Sequence, residues 1–311
     1  MRPGSYAERA PAKVNLGLAV LTRRGDGFHE IETLMAQVGL FDDVVLNVEL
    51  PTGEPVPAAL ELEMADGAGD LPGAETLTSD GSNLALKAAN AYLRAHASAG
   101  VAAPTPNVSV RLVKRVPVAA GLGGGSSDAG AVLRALARAD AAAAPDGQPL
   151  VTTAALQQLA LELGSDVPFF LGSALAAVAR GRGERLTPLD LPSLHLVLAN
   201  PGTAISASSA YQALVGFTPR LRPERALARL AEGLDPGWSN GLQPGVLRAH
   251  PELRELLAAL RGAGLKGVIM SGSGPTCVGV AASGAAAEAV AAELRLADPR
   301  LWVRAVTTLS D

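Results

Sequence analysis

The chain has 311 residues, with 26 Lys plus Arg against 30 Asp plus Glu and a formal net charge of −4. This length suits one large or two modest domains, and a 48 % hydrophobic content excludes a disordered chain. Aromatics at 3 % and an acidic balance argue against a stacking groove for nucleic acid, and the single Cys277 excludes a disulfide framework or a multi-Cys zinc site.

From the N-terminus, residues 1–11 lack the apolar core of a signal peptide, and no later run approaches the roughly 18–20 apolar residues of a bilayer span. A cytoplasmic protein without membrane partners is expected. Val14, Leu16, Leu18 and Val20 alternate with Lys13, Asn15 and Gly17, predicting a strand over Lys13–Leu21. Gly25-Asp26-Gly27 predicts a tight turn, and Val44–Leu50 a second strand. Residues 51–80 hold seven acids and no Lys or Arg, which reads as a solvated connection around a short strand at Leu60–Met64. Ser82 suits the N-cap of a helix running to about His96. A strand over Asn107–Val113 leads to Pro117 and a glycine cluster, from which a helix carries Ala129, Leu133 and Leu136 on one side. The Ala-rich stretch 138–150 reads as a loop, and Leu156–Leu163 as a helix stopped by a left-handed Gly164. Later strands are predicted at Leu175–Ala179, Leu194–Ala199, Gly267–Met270, Cys277–Ala281 and Leu301–Thr307, and helices near 223–232, 251–262 and 284–295. Strands and helices mix without strict alternation, which predicts α+β architecture.

The strongest chemical signal is Gly121-Leu122-Gly123-Gly124-Gly125-Ser126-Ser127-Asp128. Without a Cβ, glycine lets a ligand lie directly on the backbone, and successive N–H groups can converge on one anion. A helix starting at Ser126–Asp128 would add the partial positive charge of its N-terminus, so a polyphosphate is the natural guest. A plain flexible turn is the simpler reading. Two usual nucleotide motifs do not fit: G-x-G-x-x-G needs Gly where Ser126 stands, and the Walker loop needs a Lys that is missing.

The run from Pro117 to Asp128 resembles the phosphate loop of the GHMP kinases. Its three consecutive glycines are similar to the branch that acts on 4-diphosphocytidyl-2-C-methyl-D-erythritol. Three more segments match that branch in order: Ala12–Leu16 with Asp26–His29, Leu163–Phe170, and Met270–Thr276. The resemblance implies a two-domain α+β GHMP-kinase fold. An N-terminal lobe (1–168), like a ribosomal-protein domain, would carry the ATP loop, and a C-terminal lobe (169–311) would be ferredoxin-like. It implies ATP-dependent phosphorylation of the 2-hydroxyl of 4-diphosphocytidyl-2-C-methyl-D-erythritol, in the non-mevalonate isoprenoid route, by a monomer or homodimer. A homoserine or mevalonate kinase, or a non-catalytic RNA-binding protein, are the rival readings.

The same resemblance assigns Asp166 as the base that accepts the substrate hydroxyl proton and Lys13 as the cation that stabilises developing charge. Read by position alone, Lys13 is a solvated strand charge and Asp166 a turn former. ATP is expected on Pro117, Gly121, Leu122, Gly123, Gly124, Gly125, Ser126 and Ser127, with Lys114 near adenine or phosphates; a solvated strand-end charge is the alternative for Lys114. The other substrate would meet Asn15, Phe28, His29 and Asp166, with His29 on the cytosine ring. Pro201 and the loop of Gly272, Ser273 and Gly274, which would close over the substrate diphosphate or the transferred phosphate, complete that set, although both segments also read as ordinary turns. Mg²⁺ is expected, with Ser127 or Asp128 as candidate ligands and no choice between them. Arg180, Arg182 and Arg185 form a basic cluster to which no role is assigned.

Overall fold

The computed structural model describes residues 1–50, 56–65, 71–99 and 106–310. Parts of the expected connection over 51–80, namely 51–55 and 66–70, lie outside the described residues.

Two long strands organise the chain. β1 (Gly4–Arg23) and β2 (His29–Glu49) pair antiparallel along almost their whole lengths. The expected turn joins them, with Phe28 N–H donating to Asp26 Oδ1 at 3.1 Å. Both strands are much longer than the alternation suggested. The missing part of β2, Ile31–Val38, is buried on both faces, with Glu32, Thr33 and Gln37 enclosed as well, so it shows no period-two signal. In β1 the supposed polar face is also enclosed: Lys13 is 4 % and Asn15 3 % exposed. A bulge between Asn15 and Gly17 shifts the register there, the kind of kink that re-aims side chains beside a site.

After β3 (Ala59–Met64) come α1 (Leu84–Ser98), β4 (Asn107–Lys114), α2 (Gly124–Ala141), α3 (Thr153–Leu163), α4 (Val167–Leu171), β5 (Ala176–Gly181) and β6 (Arg185–Pro188). The second edge of β2 is divided: Asp43–Glu49 pairs with β4, and Ile31–Ala36 pairs with β5. β3 lies parallel to β4 and β6 antiparallel to β5, giving a six-stranded sheet that reaches beyond residue 168. Ala85, Ala89, Leu133 and Leu136 from the helices close over Val44, Leu46, Val110 and Leu112 in one core.

Three local expectations are corrected. Asn83, not Ser82, caps α1, its side chain accepting from Ala85 N–H at 2.9 Å; Ser82 bonds back to Asp80 instead. α2 begins inside the glycine cluster and takes Arg138–Ala141 from the expected loop. Gly164 has φ 166, extended rather than left-handed.

Beyond β6 the chain makes β7 (His195–Asn200), then α5 (Ala207–Gln212), α6 (Pro223–Ala231), α7 (Gln243–Ala249) and α8 (Glu252–Gly262). It ends with β8 (Lys266–Met270), β9 (Cys277–Ala281), α9 (Gly284–Ala297) and β10 (Trp302–Thr307). The order β10-β7-β9-β8, with antiparallel neighbours throughout, is the ferredoxin-like arrangement. The two sheets meet through a shared core in which Val14, Leu16 and Leu34 face Leu196, Leu198 and Ile269. Backbone bridges Leu18–Asn240 and Val38–Thr308 stitch the same junction.

Candidate active site

A cleft of about 1290 Å³ opens where the glycine cluster, the start of β2 and the second sheet's β8–β9 loop converge. Gly121 (φ 75) and Gly123 (φ 70) take left-handed conformations, which cost a non-glycine residue about 1–2 kcal/mol. Gly123 sits at the N-cap of α2 and offers no side-chain cap, so the first N–H groups of the helix have no intrahelical acceptor. Gly124, Gly125 and Ser126 of that turn line the cleft. An anion there meets backbone donors and the positive end of an 18-residue helix.

Opposite the loop, Lys13 and Asp166 come together across 153 residues of sequence. Lys13 Nζ lies 3.5 Å from Asp166 Oδ2 and donates to Asn15 Oδ1 at 2.5 Å. Asn15 Nδ2 donates to Thr33 Oγ1 (2.7 Å), and that hydroxyl donates to Gly17 O (2.7 Å), at the bulge of β1. Asp166 occupies the N-cap position of α4 but makes no capping bond; its carboxylate is 32 % exposed and turned to Lys13. Gly123 lets this wall approach the glycine loop, since a Cβ there would lie 3.0 Å from Lys13 Cγ.

The β8–β9 loop closes the third side. Ser271 Oγ donates to Gly121 O (2.9 Å) and accepts from Asn15 N–H (3.0 Å), tying both glycine loops to β1. A Cβ on Gly272 would stand 2.9 Å from Asn15 Oδ1. Asn240, absent from the sequence-based candidates, holds this loop: its Nδ2 donates to Met270 O (2.8 Å) and Gly272 O (2.7 Å). His29 and Tyr211 also line the cleft and stack on each other, with ring centroids 5.0 Å apart and planes 15° from parallel. Burial, helped by the charge of Asp166, pushes the Tyr211 hydroxyl up to about 12, so it stays protonated. Phe28 lies alongside, 53 % exposed.

Residues 83–174 match the family model for the GHMP kinases N-terminal domain, and residues 219–299 match that for the GHMP kinases C-terminal domain. The chain is 46 % identical, over 95 % of its length and 91 % of the other's, to 4-diphosphocytidyl-2-C-methyl-D-erythritol kinase of Deinococcus radiodurans. The chain belongs to the GHMP kinases. It also resembles a crystal structure of 4-(cytidine 5'-diphospho)-2C-methyl-D-erythritol kinase, with 40 % identity, a TM-score of 0.75, and coverage of 98 % of this chain and all of that one. Homoserine kinase from Cytophaga hutchinsonii shares the fold at 17 % identity, with a TM-score of 0.64 over 98 % of this chain and 94 % of that one.

Below the glycine loop this GHMP kinase buries an ion triad. Lys114 Nζ donates to Asp128 Oδ2 at 2.7 Å and also to Asp42 Oδ2. Asp42 Oδ1 accepts the N–H groups of Arg115 (2.5 Å) and Val116 (2.9 Å), fixing the approach to Pro117. Burial would lower the Lys114 pKa, but Asp128 and Asp42 outweigh it and hold it above its ordinary value. Lys114 reaches the cleft wall with its ammonium engaged from behind, by β2 and α2.

Burial pushes the Asp128 carboxyl up to about 7, against the pull of Lys114. The unfolded chain releases that proton near the ordinary 3.8. The folded state holds more protons between those values, so this stabilisation is full below about pH 4 and lost as the pH rises through about 7. Asp128→Asn removes the dependence. Urea unfolding should show the variant losing less stability than the parent between about pH 5 and pH 8, and equal losses would refute this reading.

Of the sequence-predicted set, Lys13, Asn15, Phe28, His29, Lys114, Pro117, Gly121, Gly123, Gly124, Gly125, Ser126, Asp166, Gly272 and Ser273 line this one cleft. Leu122 and Ser127 are fully buried, Leu122 in the core shared by the sheets. Pro201 and Gly274 do not line the cleft. Tyr211 and Arg182 line it unforeseen.

Proposed function

We propose that this kinase transfers the γ-phosphoryl group of ATP to the 2-hydroxyl of 4-diphosphocytidyl-2-C-methyl-D-erythritol, giving the 2-phosphate and ADP, in the cytoplasm. The observation that carries the reading is the Lys13–Asp166 contact at 3.5 Å, facing a glycine loop across one cleft. Phosphoryl transfer asks mainly for positioning and charge neutralisation. The first-turn amides of Gly124, Gly125 and Ser126 receive phosphate oxygens. Asp166 takes the proton of the attacking hydroxyl, and Lys13, held in place by Asn15, balances charge growing at the transferred group. The stacked His29–Tyr211 pair lines the same cleft and offers a flat platform for the cytosine ring.

Among the described residues no group of three or more His, Cys, Asp or Glu forms a metal cage. Mg²⁺ bound largely through ATP needs only one or two protein oxygens. Ser127 Oγ and Asp128 Oδ1 are buried near the start of α2 without partners among the described residues, and of the two only Asp128 lines the cleft; Asp128 therefore fits, and the ion would supply charge neutralisation at the β- and γ-phosphates.

ADP release measured over a panel of alcohols tests the assignment. Turnover is expected with 4-diphosphocytidyl-2-C-methyl-D-erythritol and not with homoserine or mevalonate; preference for either of the latter would overturn it.

A further inference from the structure

The basic cluster after β5 is not uniform. Arg180 is bound by Glu32 at 2.9 Å and Arg185 by Glu30 at 2.5 Å. Arg182 forms no ion pair with any carboxylate among the described residues; instead its guanidinium lies over the Phe28 ring, 4.7 Å from the centroid. It is half-buried and lines the cleft. A built turn presents it there. Gly181 (φ 77) and Gly183 (φ 114) flank it in left-handed conformations, and its own N–H donates to Glu184 Oε2 at 2.6 Å. The turn also touches the chemistry, because a Cβ on Gly183 would lie 3.9 Å from Asp166 Oδ1. Arg182 therefore lies against Phe28 on a turn that borders Asp166.

A substrate whose base and acceptor alcohol are joined by a diphosphate must carry that negative charge through this cleft. The other cations of the cleft are placed differently. Lys13 serves Asn15 and Asp166, Lys114 is held by Asp42 and Asp128, and Arg23 lies on the exposed rim. A guanidinium offers five donors in a planar fork that matches phosphate oxygens two at a time. We propose that Arg182 binds the diphosphate of the nucleotide-linked alcohol and so fixes the distance between the stacked base and the hydroxyl at Asp166. This rests on the substrate reading above and adds the residue that recognises its charged bridge.

The test compares cytidine 5'-diphosphate with cytidine as ligands, by calorimetry, for the parent enzyme and for Arg182→Leu and Arg182→Lys. Leucine leaves an apolar side chain beside Phe28 and removes the guanidinium with its charge and its donors. The parent should bind the diphosphate much more tightly than the nucleoside. In Arg182→Leu the diphosphate should weaken about tenfold or more, while cytidine stays within about twofold, and the KM for ATP is unchanged. Arg182→Lys should fall between, since it keeps charge without the fork. An unchanged preference for the diphosphate in Arg182→Leu would overturn the proposal, and so would equal weakening of both ligands, which would place Arg182 on the base instead. If the parent binds neither ligand, the substrate reading itself fails and this assignment falls with it. Thermal melting of both variants at the parent temperature shows that any loss is local.

Discussion

Asp166→Asn is expected to lower kcat by about 10²–10⁴-fold, the range for losing a general base, with the melting temperature and the KM for ATP close to those of the parent. The physical case lies in what Asp166 does not do. It caps no helix and its carboxylate is one-third exposed, so the amide replaces it without a cavity or an orphaned donor in the core. Its one ion pair among the described residues, to Lys13 at 3.5 Å, is a contact on the cleft wall. Asparagine keeps the shape and one acceptor oxygen but cannot take a proton at neutral pH. Steady-state kinetics with both substrates, beside a thermal melt, separate the outcomes. A kcat within about threefold of the parent would remove Asp166 from the chemistry.

Gly121→Ala should damage the enzyme through packing. The residue holds φ 75, and a Cβ there would fall on the Ser271 carbonyl oxygen, 3.1 Å from Gly274 N. Left-handed backbone alone costs alanine about 1–2 kcal/mol, and relief of the clash must move Ser271, which also holds Asn15 N–H. Both glycine loops and the Lys13 wall shift together, so kcat/KM is expected to fall by about 100-fold or more for ATP and for the alcohol. The melting temperature should fall by roughly 2–4 °C for each kcal/mol lost. Gly147→Ala is the control: it has the same backbone sign, φ 71, but nothing lies within 4 Å of its Cβ position. It should lose stability and keep its activity. Equal kinetic losses in the two variants would show that strain, not the contact between loops, decides the result.

β4 alternates and its one apolar face is legible, and β7 and β9, buried on both faces, are legible as short unbroken apolar runs; with β3 and β10 they begin and end within a residue of expectation. β2 was half-hidden because its first part is enclosed on both sides and even buries Glu32, which Arg180, Arg220 and the Leu221 N–H satisfy from elements far along the chain. Short pieces such as α4, β6, α5 and α7 give too few turns for a period to emerge. The glycine loop announces its chemistry locally, since several glycines in a row serve few purposes. Tyr211 and Asn240 do not: one acts by stacking on His29 and the other by holding the Met270 and Gly272 carbonyls. Neither partnership leaves a spacing to read. Asn83 and Ser82 are equally good caps by type, and only the local backbone chose between them.

The enzyme cannot be halved. β1 and β2 carry Val14, Leu16 and Leu34 against the ferredoxin-like sheet while their far ends build the other core. A fragment stopping after β6 would keep its fold of strands yet bare that stripe to water, an invitation to clump. The dividing line between lobes is a seam of interlocked side chains, and the glycine loop is mounted directly upon it through Leu122.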